Sequence, residues 1–487
     1  MPNIARHSRS GGRPRALGHA FGHRVRVAFV IGLLALPAFL AGCKGIPTKD
    51  ENEARRQIQN TAAQYRPDGR KPPLPVLTTN SSLGDFLAFA LLNQPQVEAA
   101  YYDWTASIER ITTARSLPDP QLTFQMDIMD TVVSIMPGLM GSIPWPGKLR
   151  AGAEAASAQS RTKFFAFQSA VLASAFSVKR AYYQLYFLAE KTRVNRETLG
   201  LLADLEKLAR TQNEVAKVTL QDVLRAQIEQ DRLKTEIENL EDSRASLLAQ
   251  LKAALGLPAE DPPPPIPARF ESTPLELTSD KLFQSALARN TRLQALEAEV
   301  RAAEASLRMA RRGRLPDFSL GLMADAQTSP TLYRPLGTVT LPIWRDKIAA
   351  QIAEAQANQR GAEARLSAEQ VGLAADFAER LFLYREATRN VALLTDRLLP
   401  KARQSLELAR SGYLSGQIDF LNLTDSERTL LGFELDRIEA STQRELTLAE
   451  LSLIVQGMPP ASASPRTGSP AMNGSKASAP ARANGGM

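Results

Sequence analysis

The sequence predicts an α+β membrane protein in which long antiparallel α-helices adjoin a four-stranded sheet. Three observations support this class. One structural unit occurs twice along the 487 residues, each unit holds a strand hairpin with one apolar face, and each hairpin continues into a helical segment of 67 or 68 residues. Strict alternation indicates strands that are wet on one face, and helical spacing of apolar residues indicates helices that pack side by side.

The composition excludes several classes of function. The net charge is +8, but residues 1–42 carry six Arg and no acid, and residues 460–487 carry three basic residues and no acid, which leaves −1 for residues 43–459. A nucleic-acid protein would need a basic face. All three His and the only Cys lie within the first 43 residues, so the rest lacks the side chains for Ser-His-Asp or Cys-His catalysis, for His or Cys metal sites and for disulfides. Carboxylate-only catalysis stays open on composition, but we expect no enzyme.

Residues 1–42 are predicted to be a signal peptide. Basic residues precede an apolar run, Val27 to Leu40, that is shorter than the about 20 residues of a membrane span. The run ends at Leu40-Ala41-Gly42-Cys43, which resembles the lipobox of bacterial lipoproteins and implies cleavage before Cys43 and lipidation of that residue. A plain secretory leader with an incidental Cys is the alternative. We expect residues 43–81 to be a lipid-anchored linker, with the lipid as the only bound group and no other cofactor.

One architectural unit is repeated. Residues 90–95 align with 286–291 at an offset of 196, and Leu117-Pro118-Asp119 aligns with Leu315-Pro316-Asp317 at an offset of 198. Further matches join 143–145 to 341–343, 148–149 to 347–348 and 256–258 to 457–459. We therefore predict a first structural repeat over 82–258, a Pro-rich linker over 259–277, a second repeat over 278–459 and a disordered tail over 460–487.

Each repeat contains a predicted strand hairpin. Residues 121–128 alternate between polar and apolar, residues 318–325 repeat the pattern, and return strands end near Ile143 and Leu341. The expected apolar faces comprise Leu122, Phe124, Met126, Ile128, Phe318, Leu320, Leu322 and Ala324. Strands of about ten residues suit a tilted outer-membrane strand with one lipid-facing and one wet face. A soluble hairpin packed on helices is the alternative.

Helices flank each hairpin. We predict helices over 83–115 with a break near Pro95, 148–214 and 220–255 in the first repeat, and over 279–312, 347–414 and 420–455 in the second. In each repeat the two shorter segments together match the long one in length, so we expect two short helices stacked end to end beside one long helix. Apolar steps of three and four residues after Thr219, a predicted N-cap, are typical of coiled coils.

These residues resemble the outer-membrane efflux protein family, which is typified by TolC. The resemblance covers about residues 82–459 and rests on the duplicated starts, the L-P-D before each first strand, the P-W-P-G-K and L-P-I-W-R-D-K junctions and the turn motifs. It implies a homotrimer whose chains each contribute four strands to a 12-stranded β-barrel that continues into an α-helical coiled-coil barrel. It also implies residence in the outer membrane of a Gram-negative-type bacterium, with the helical part in the periplasm.

The resemblance further implies a passive exit duct of a tripartite efflux system. Its partners would be a periplasmic adaptor protein, an inner-membrane efflux pump and outer-membrane lipid, and its cargo small solutes or metal ions. The lipobox and the I-P-W-P-G-K junction are similar to the subgroup that works with heavy-metal exporters. The rival hypothesis is a periplasmic coiled-coil adaptor lipoprotein, which would have one helical hairpin and soluble β-domains. A carboxylate enzyme is the third.

The helical turns far from the hairpins are predicted to form a periplasmic gate. The family's turn carries Tyr-x-x-Gly, which the second repeat has at Tyr413 and Gly416, whereas the first has Asn213 and Ala216. Alignment of the two turns places Arg225 and Asp425 at equivalent positions, so ion pairs between tips could hold the channel shut. Ordinary first-turn carboxylates are the alternative for Asp222 and Asp425. The predicted tip and gate residues are Asp222, Arg225, Gly416, Asp419, Asn422 and Asp425.

Two further groups stand out near the hairpins. Trp145 and Trp344 follow the return strands, where they would serve as membrane-interface anchors or as junction packing. Four methionines cluster around the first hairpin, namely Met126, Met129, Met136 and Met140. Thioethers can bind Cu(I), but Met126 falls on the apolar face and a passive conduit needs no tight metal site, so we predict no metal site there.

Overall fold

The computed structural model describes residues 47–128, 132–145, 147–215, 219–268, 270, 279–325 and 330–456. The predicted signal peptide, the predicted tail and three residues singled out above, Cys43, Met129 and Ala216, lie outside the described residues. The described chain is helical apart from two strand hairpins, the connecting turns and an extended stretch on either side of the first repeat. The α+β prediction is therefore confirmed.

The first repeat has the predicted order of elements. Helices α2 (Leu83–Asn93) and α3 (Pro95–Arg115) precede strands β1 (Gln121–Ile128) and β2 (Val132–Ile143), and helices α4 (Lys148–Glu214) and α5 (Leu220–Ala254) follow. The break falls at Gln94 because Pro95 has no N–H and disfavours helical backbone in the residue before it. The predicted start at Thr219 is confirmed, since the carboxylate of Asp222 accepts hydrogen bonds from the backbone N–H and hydroxyl of Thr219 at 3.3 and 3.2 Å.

The second repeat differs from the prediction in its long helix. Its elements are α6 (Ser279–Arg289), α7 (Thr291–Arg312), β3 (Asp317–Asp325), β4 (Leu332–Thr340), α8 (Arg345–Leu393), α9 (Leu399–Leu414) and α10 (Phe420–Gln456). The helix expected over 347–414 is interrupted by a π-helical turn at Leu394–Leu398. Pro400 explains the interruption, because its ring excludes the carbonyl four residues earlier from α-helical bonding, and a π turn widens the backbone locally.

An additional helix lies within the region assigned to the N-terminal linker. Helix α1 spans Lys49–Tyr65. The carboxylate of Glu51 is fully buried and pairs with Arg55 Nε at 3.0 Å and with Arg115 Nε at 2.9 Å, while Arg55 Nη1 lies 3.1 Å from Glu109 Oε1. These pairs fasten α1 to α3. The helix has little apolar periodicity, so the sequence analysis did not predict it.

The described residues divide into two compact units. The first takes residues up to 64, 103–162 and 298–363, and the second takes 65–102, 163–297 and residues from 364 onwards. The first unit holds a single antiparallel sheet in the order β1-β2-β3-β4. The register aligns one row across all four strands, Leu122 with Leu139, Leu139 with Leu322, and Leu322 with Pro335. Because side chains alternate along each strand, this register gives the whole sheet two distinct faces.

The second unit has three apolar clusters between helices. In α5, buried positions step by three and four residues through Val223, Ala226, Gln230, Leu233 and Ile237. They pack on Leu202, Leu205 and Ala209 of α4, which confirms the coiled-coil spacing. A second cluster joins α2 to α4 through Phe86 and Tyr182, whose rings are 5.7 Å apart. The third joins α6 and α7 to α8 and α10.

The start of each repeat contacts the end of the same repeat. Asn93 Nδ2 donates to the carbonyls of Leu255 and Gly256 at 2.8 and 3.0 Å, and Asn290 Nδ2 donates to the carbonyl of Ile454 at 2.8 Å. Gly256 has φ +70°, and a Cβ there would lie 2.8 Å from the Asn93 carbonyl oxygen. Only glycine fits both constraints. The duplicated start motif and the Gly-Leu-Pro turn are thus two halves of one joint.

The helices were also compared with the dimensions of a bilayer. None of those that the structure describes contains a stretch both long and apolar enough to cross a membrane.

Candidate functional site: sheet faces, strand–helix junction and helical tips

One face of the sheet is apolar and exposed. Leu122, Phe124 and Leu320 have 65%, 66% and 61% of their surface accessible. The side chains that share this face by register are Leu122, Phe124, Met126, Ile135, Pro137, Leu139, Ile143, Phe318, Leu320, Leu322, Ala324, Tyr333, Pro335 and Val339. A water-soluble hairpin would pack these side chains on helices, as the alternative hypothesis required. An exposed apolar surface spanning four strands instead marks a contact with lipid or protein.

The opposite face is largely polar, and the sheet is open at both sides. Gln125, Asp127, Ser134, Ser319 and Thr338 belong to the polar face. β1 pairs only with β2 and β4 only with β3 among the described strands. Unpaired strand edges are costly where water is absent, so a sheet of this kind needs further strands to close it in lipid.

Motifs from the two repeats meet where the hairpins join the helices. Lys148 Nζ, in the P-W-P-G-K motif of the first repeat, lies 2.8 Å from Asp317 Oδ2, in the L-P-D motif of the second. The backbone N–H of Trp145 donates to Asp317 Oδ1 at 3.0 Å, and Lys148 Nζ also donates to the carbonyl of Leu315 at 2.8 Å. Asp317 therefore joins the end of the first hairpin to the start of the second.

The two junction tryptophans have different surroundings. The ring of Trp145 is half-buried, with its centroid 5.8 Å from that of Phe318, so it packs within the junction. Trp344 is 72% exposed. Asp119 and Lys347, the counterparts of Asp317 and Lys148 in the repeat alignment, are exposed and form no ion pair within the described part of the chain. One junction is complete inside the chain, and the equivalent residues of the other are free.

The helical turn between α9 and α10 is built by the predicted Tyr-x-x-Gly motif. Tyr413 is 3% exposed and its ring lies 5.6 Å from that of Phe420. Gly416 has φ +73°, which glycine adopts without strain. Asp419 Oδ1 accepts the backbone N–H of Asn422 at 2.9 Å, so Asp419 caps α10 as Thr219 and Asp222 cap α5.

The predicted gate residues pair locally within the chain. Arg225 Nη1 lies 4.0 Å from Asp222 Oδ1, and Asp425 Oδ1 lies 3.7 Å from Arg428 Nη1. Arg428 also pairs with Glu229 of α5, and this contact lowers the pKa of Glu229. Arg225 and Asp425 do not pair with each other within the described chain. The geometry of Asp222 fits the capping role, and pairing between tips of different chains stays a prediction.

A groove runs along the same tip. It has a volume of about 430 Å³ and lies between α9 and α10. Its lining comprises Ala402, Ser405, Leu408, Ala409, Ile418, Asn422, Asp425, Ser426 and Thr429. Leu408 is 68% exposed on this surface. The predicted gate residues Asn422 and Asp425 therefore line a concave surface that also exposes apolar side chains.

A buried carboxyl lies nearby on α10 that sequence reasoning missed. Glu427 is 4% exposed, and burial raises its pKa to about 7, with Glu434 adding to the shift and Arg410 opposing it. No sequence pattern marks this residue, because its burial depends on how α10 packs. Within the described residues no group of three or more His, Cys, Asp or Glu side chains is placed to hold a metal ion.

Comparison with known proteins relates this geometry to a family. Residues 282–455 match the family model for the outer membrane efflux protein. A search of curated proteins finds no match. The fold is similar to the outer membrane protein VceC from Vibrio cholerae, with a TM-score of 0.65, 17% identity, and coverage of 77% of this chain and 96% of that one.

Two other solved structures give similar values. The Campylobacter jejuni CmeC outer membrane channel matches with a TM-score of 0.67 and 12% identity, over 79% of this chain and 89% of that one. CusC matches with a TM-score of 0.65 and 16% identity, over 80% and 98%. The family comprises outer-membrane efflux proteins and is not an enzyme family. The matched segment, residues 282–455, therefore belongs to the outer membrane efflux protein family, and the chain has the fold of that family's channels.

Proposed function

We propose that this protein is the outer-membrane exit duct of a tripartite efflux system. The observation that carries the proposal is the sheet, which exposes a continuous apolar face, keeps polar side chains on the other face and leaves both edges unpaired. Strands with one lipid-facing and one wet face are what a transmembrane barrel requires. The similarity in fold to membrane channels such as CmeC and CusC supports the same function.

The proposed assembly is a homotrimer. Four strands per chain are too few to close a barrel, and three chains would supply twelve. The unpaired edges of β1 and β4 would pair between neighbouring chains. The exposed Asp119 and Lys347 support this arrangement, because closing the ring would bring Lys347 of one chain to Asp119 of the next, as Lys148 meets Asp317 within the chain.

We propose that the mature chain begins at a lipidated Cys43, after removal of residues 1–42. Helix α1 supports this placement, because its ion pairs hold it against the part of α3 that leads into β1. A lipid on Cys43, six residues before α1, would then lie close to the sheet and to the membrane that the sheet spans. The covalent lipid is the only bound group that we propose.

The proposed partners are a periplasmic adaptor and an inner-membrane pump. The helical part would lie in the periplasm of a Gram-negative-type bacterium, and the groove between α9 and α10 offers a mixed apolar and acidic surface for an adaptor helix. The lipobox and the I-P-W-P-G-K junction favour the heavy-metal subgroup. The gate residues Asp222, Arg225, Gly416, Asp419, Asn422 and Asp425 would lie at the adaptor end.

Mass spectrometry of the purified protein tests this proposal. Native spectra in detergent should give three times the mass of one acylated chain that begins at Cys43. A monomer that starts at another residue and carries no lipid would contradict both the assembly and the anchor. A trimer without the lipid would remove the anchor alone.

A further inference from the structure

The polar face of β1, β2 and β3 carries an unusual set of apolar side chains. Most residues described on this face are polar or glycine, namely Gln121, Thr123, Gln125, Asp127, Ser134, Gly138, Ser142, Asp317, Ser319, Gly321 and Asp325. The remaining three are all methionine: Met136, Met140 and Met323. Leucine or isoleucine would fill space as well as methionine does, so a repeated choice of sulfur indicates a chemical role.

The register brings the three methionines together around one glycine. Met136 and Met140 flank Gly138 at two residues on either side, so all three share a face. Gly138 pairs directly with Met323 on β3. A Cβ on Gly138 would lie 2.6 Å from Met323 Cγ, which shows that the Met323 side chain lies over Gly138 and between the other two methionines.

The space between these side chains has an open floor and protected walls. Gly138 and Gly321 contribute no side chains, and the Thr123 hydroxyl lies 2.8 Å from the point that a Gly138 Cβ would occupy. Met136 and Met323 are 1% and 8% exposed, whereas Met126, on the apolar face, is 56% exposed. The sheet therefore shields two of these thioethers while the third, Met140, is half-buried at the rim.

We propose that Met136, Met140 and Met323 bind a soft monovalent cation, Cu(I) or Ag(I), on the polar face of the sheet. Thioether sulfur is neutral and polarisable, and it prefers soft d¹⁰ ions over Mg²⁺, Ca²⁺ or Zn²⁺. Methionine has three rotatable bonds, so three side chains can close around one ion without moving the backbone. The Thr123 hydroxyl is placed to add an oxygen contact.

The inference rests on the proposed function, because the polar face must line the passage for the ion to reach it. In that setting the cation is cargo rather than a resident cofactor. A site in a conduit must bind strongly enough to attract the ion and weakly enough to release it. Three neutral sulfurs without a thiolate or carboxylate suit such transient binding. The proposed cargo class is therefore soft monovalent metal ions.

Equilibrium dialysis of Ag(I) against the full-length trimer in detergent, quantified by elemental mass spectrometry, tests the proposal. We expect one Ag(I) per chain, an at least tenfold weaker affinity in Met323→Leu, and no bound ion in the Met136→Leu/Met140→Leu/Met323→Leu triple variant. Met126→Leu, a matched change on the apolar face, should bind as the parent does. Leucine is close to methionine in volume, which favours retention of the fold. Any free thiol at Cys43 is alkylated first in all samples.

The remaining measurements separate the site from the channel. Ag K-edge absorption on the parent trimer should show sulfur neighbours, and oxygen or nitrogen neighbours alone would overturn the site without any variant. Cu(I), tested with a chelating competitor under reducing conditions, should follow Ag(I), and Zn(II) should not bind. Equal Ag(I) binding by the parent and triple variant would also overturn the site. Conductance of the triple variant should equal that of the parent, whereas a parent without conductance would refute the channel instead.

Discussion

Lys148 Nζ and Asp317 Oδ2 lie 2.8 Å apart, and this ion pair fastens the end of the first hairpin to the start of the second. The equivalent residues Lys347 and Asp119 are exposed and form no ion pair in the described chain. An internal repeat that satisfies one junction and leaves the other free is suited to closing a ring, since each chain offers a cation at one end of its sheet and an anion at the other.

The first prediction concerns this junction between chains. In a chain with Lys347→Cys and Asp119→Cys, a short bismaleimide should link neighbouring protomers and give covalent dimers and trimers on a denaturing gel. The matched control is Lys148→Cys with Asp317→Cys, which should link only within the chain. The parent, whose only thiol is at Cys43, should give neither product. Absence of cross-linked trimers with the first pair, while the control pair links, would contradict the ring.

The second prediction concerns the two faces of the sheet. Phe124→Arg places a charge on the apolar face and should destabilise the membrane-inserted protein by roughly 2–4 kcal/mol near mid-membrane. Gln125→Arg, one residue along the same strand, points to the polar face and should be tolerated and change conductance. The pair Leu320→Arg and Ser319→Arg repeats the test on β3. Reversible unfolding in lipid vesicles measures the difference, and equal cost on both faces would overturn the assigned faces.

The third prediction concerns the tip. Asp425→Arg removes the carboxylate that lies 3.7 Å from Arg428 and adds a positive charge beside it. We expect higher resting conductance and a shift of selectivity towards anions, and we expect Arg225→Asp in addition to restore part of the closure. Each exposed pair contributes about 0–1 kcal/mol, so an adaptor could reverse the closed state. Asp425→Asn, the matched neutral change, should show a smaller effect. Unchanged bilayer recordings in Asp425→Arg would remove this residue from the gate.

The fourth prediction concerns Glu427, whose pKa is raised to about 7 from an ordinary 4.5. Between these values the folded state holds a proton that the unfolded state has lost, so stability falls as the pH rises from about 4.5 through 7. The total loss is roughly 3 kcal/mol. Glu427→Gln should therefore raise Tm at pH 8 and leave it nearly unchanged at pH 5. Glu439→Gln, an exposed change on the same helix, should do neither. A Glu427→Gln protein that melts like the parent at pH 8 would contradict the shift.

Much of the fold could be predicted because its signals are local. Pro95 ends a helix by removing an N–H, Thr219 and Asp222 begin another by capping it, and alternation over 121–128 marks a strand. The relationship to the outer-membrane efflux proteins also came from short motifs, and the family match over 282–455 confirms it. Local rules therefore fixed most helix and strand boundaries to within two residues.

The rest depends on contacts between distant residues. Helix α1 is held by Glu51 and Arg115, which are 64 positions apart, and its own sequence lacks an apolar stripe. The Lys148 and Asp317 motifs were both noticed, but only the register shows that they meet. Met323 is isolated in the sequence and joins Met136 only through the pairing of β2 with β3. Glu427 differs from its exposed neighbours only in how α10 packs.

Single-channel recording of the purified protein in planar bilayers tests the central claim most directly. If the chain is a passive exit duct, the protein alone should produce discrete conductance steps without nucleotide or ion gradient, and Gln125→Arg should change their size and ion selectivity. A correctly assembled protein that inserts into the bilayer but gives no steps, or steps that Gln125→Arg leaves unchanged while Phe124→Arg alters them, would contradict it.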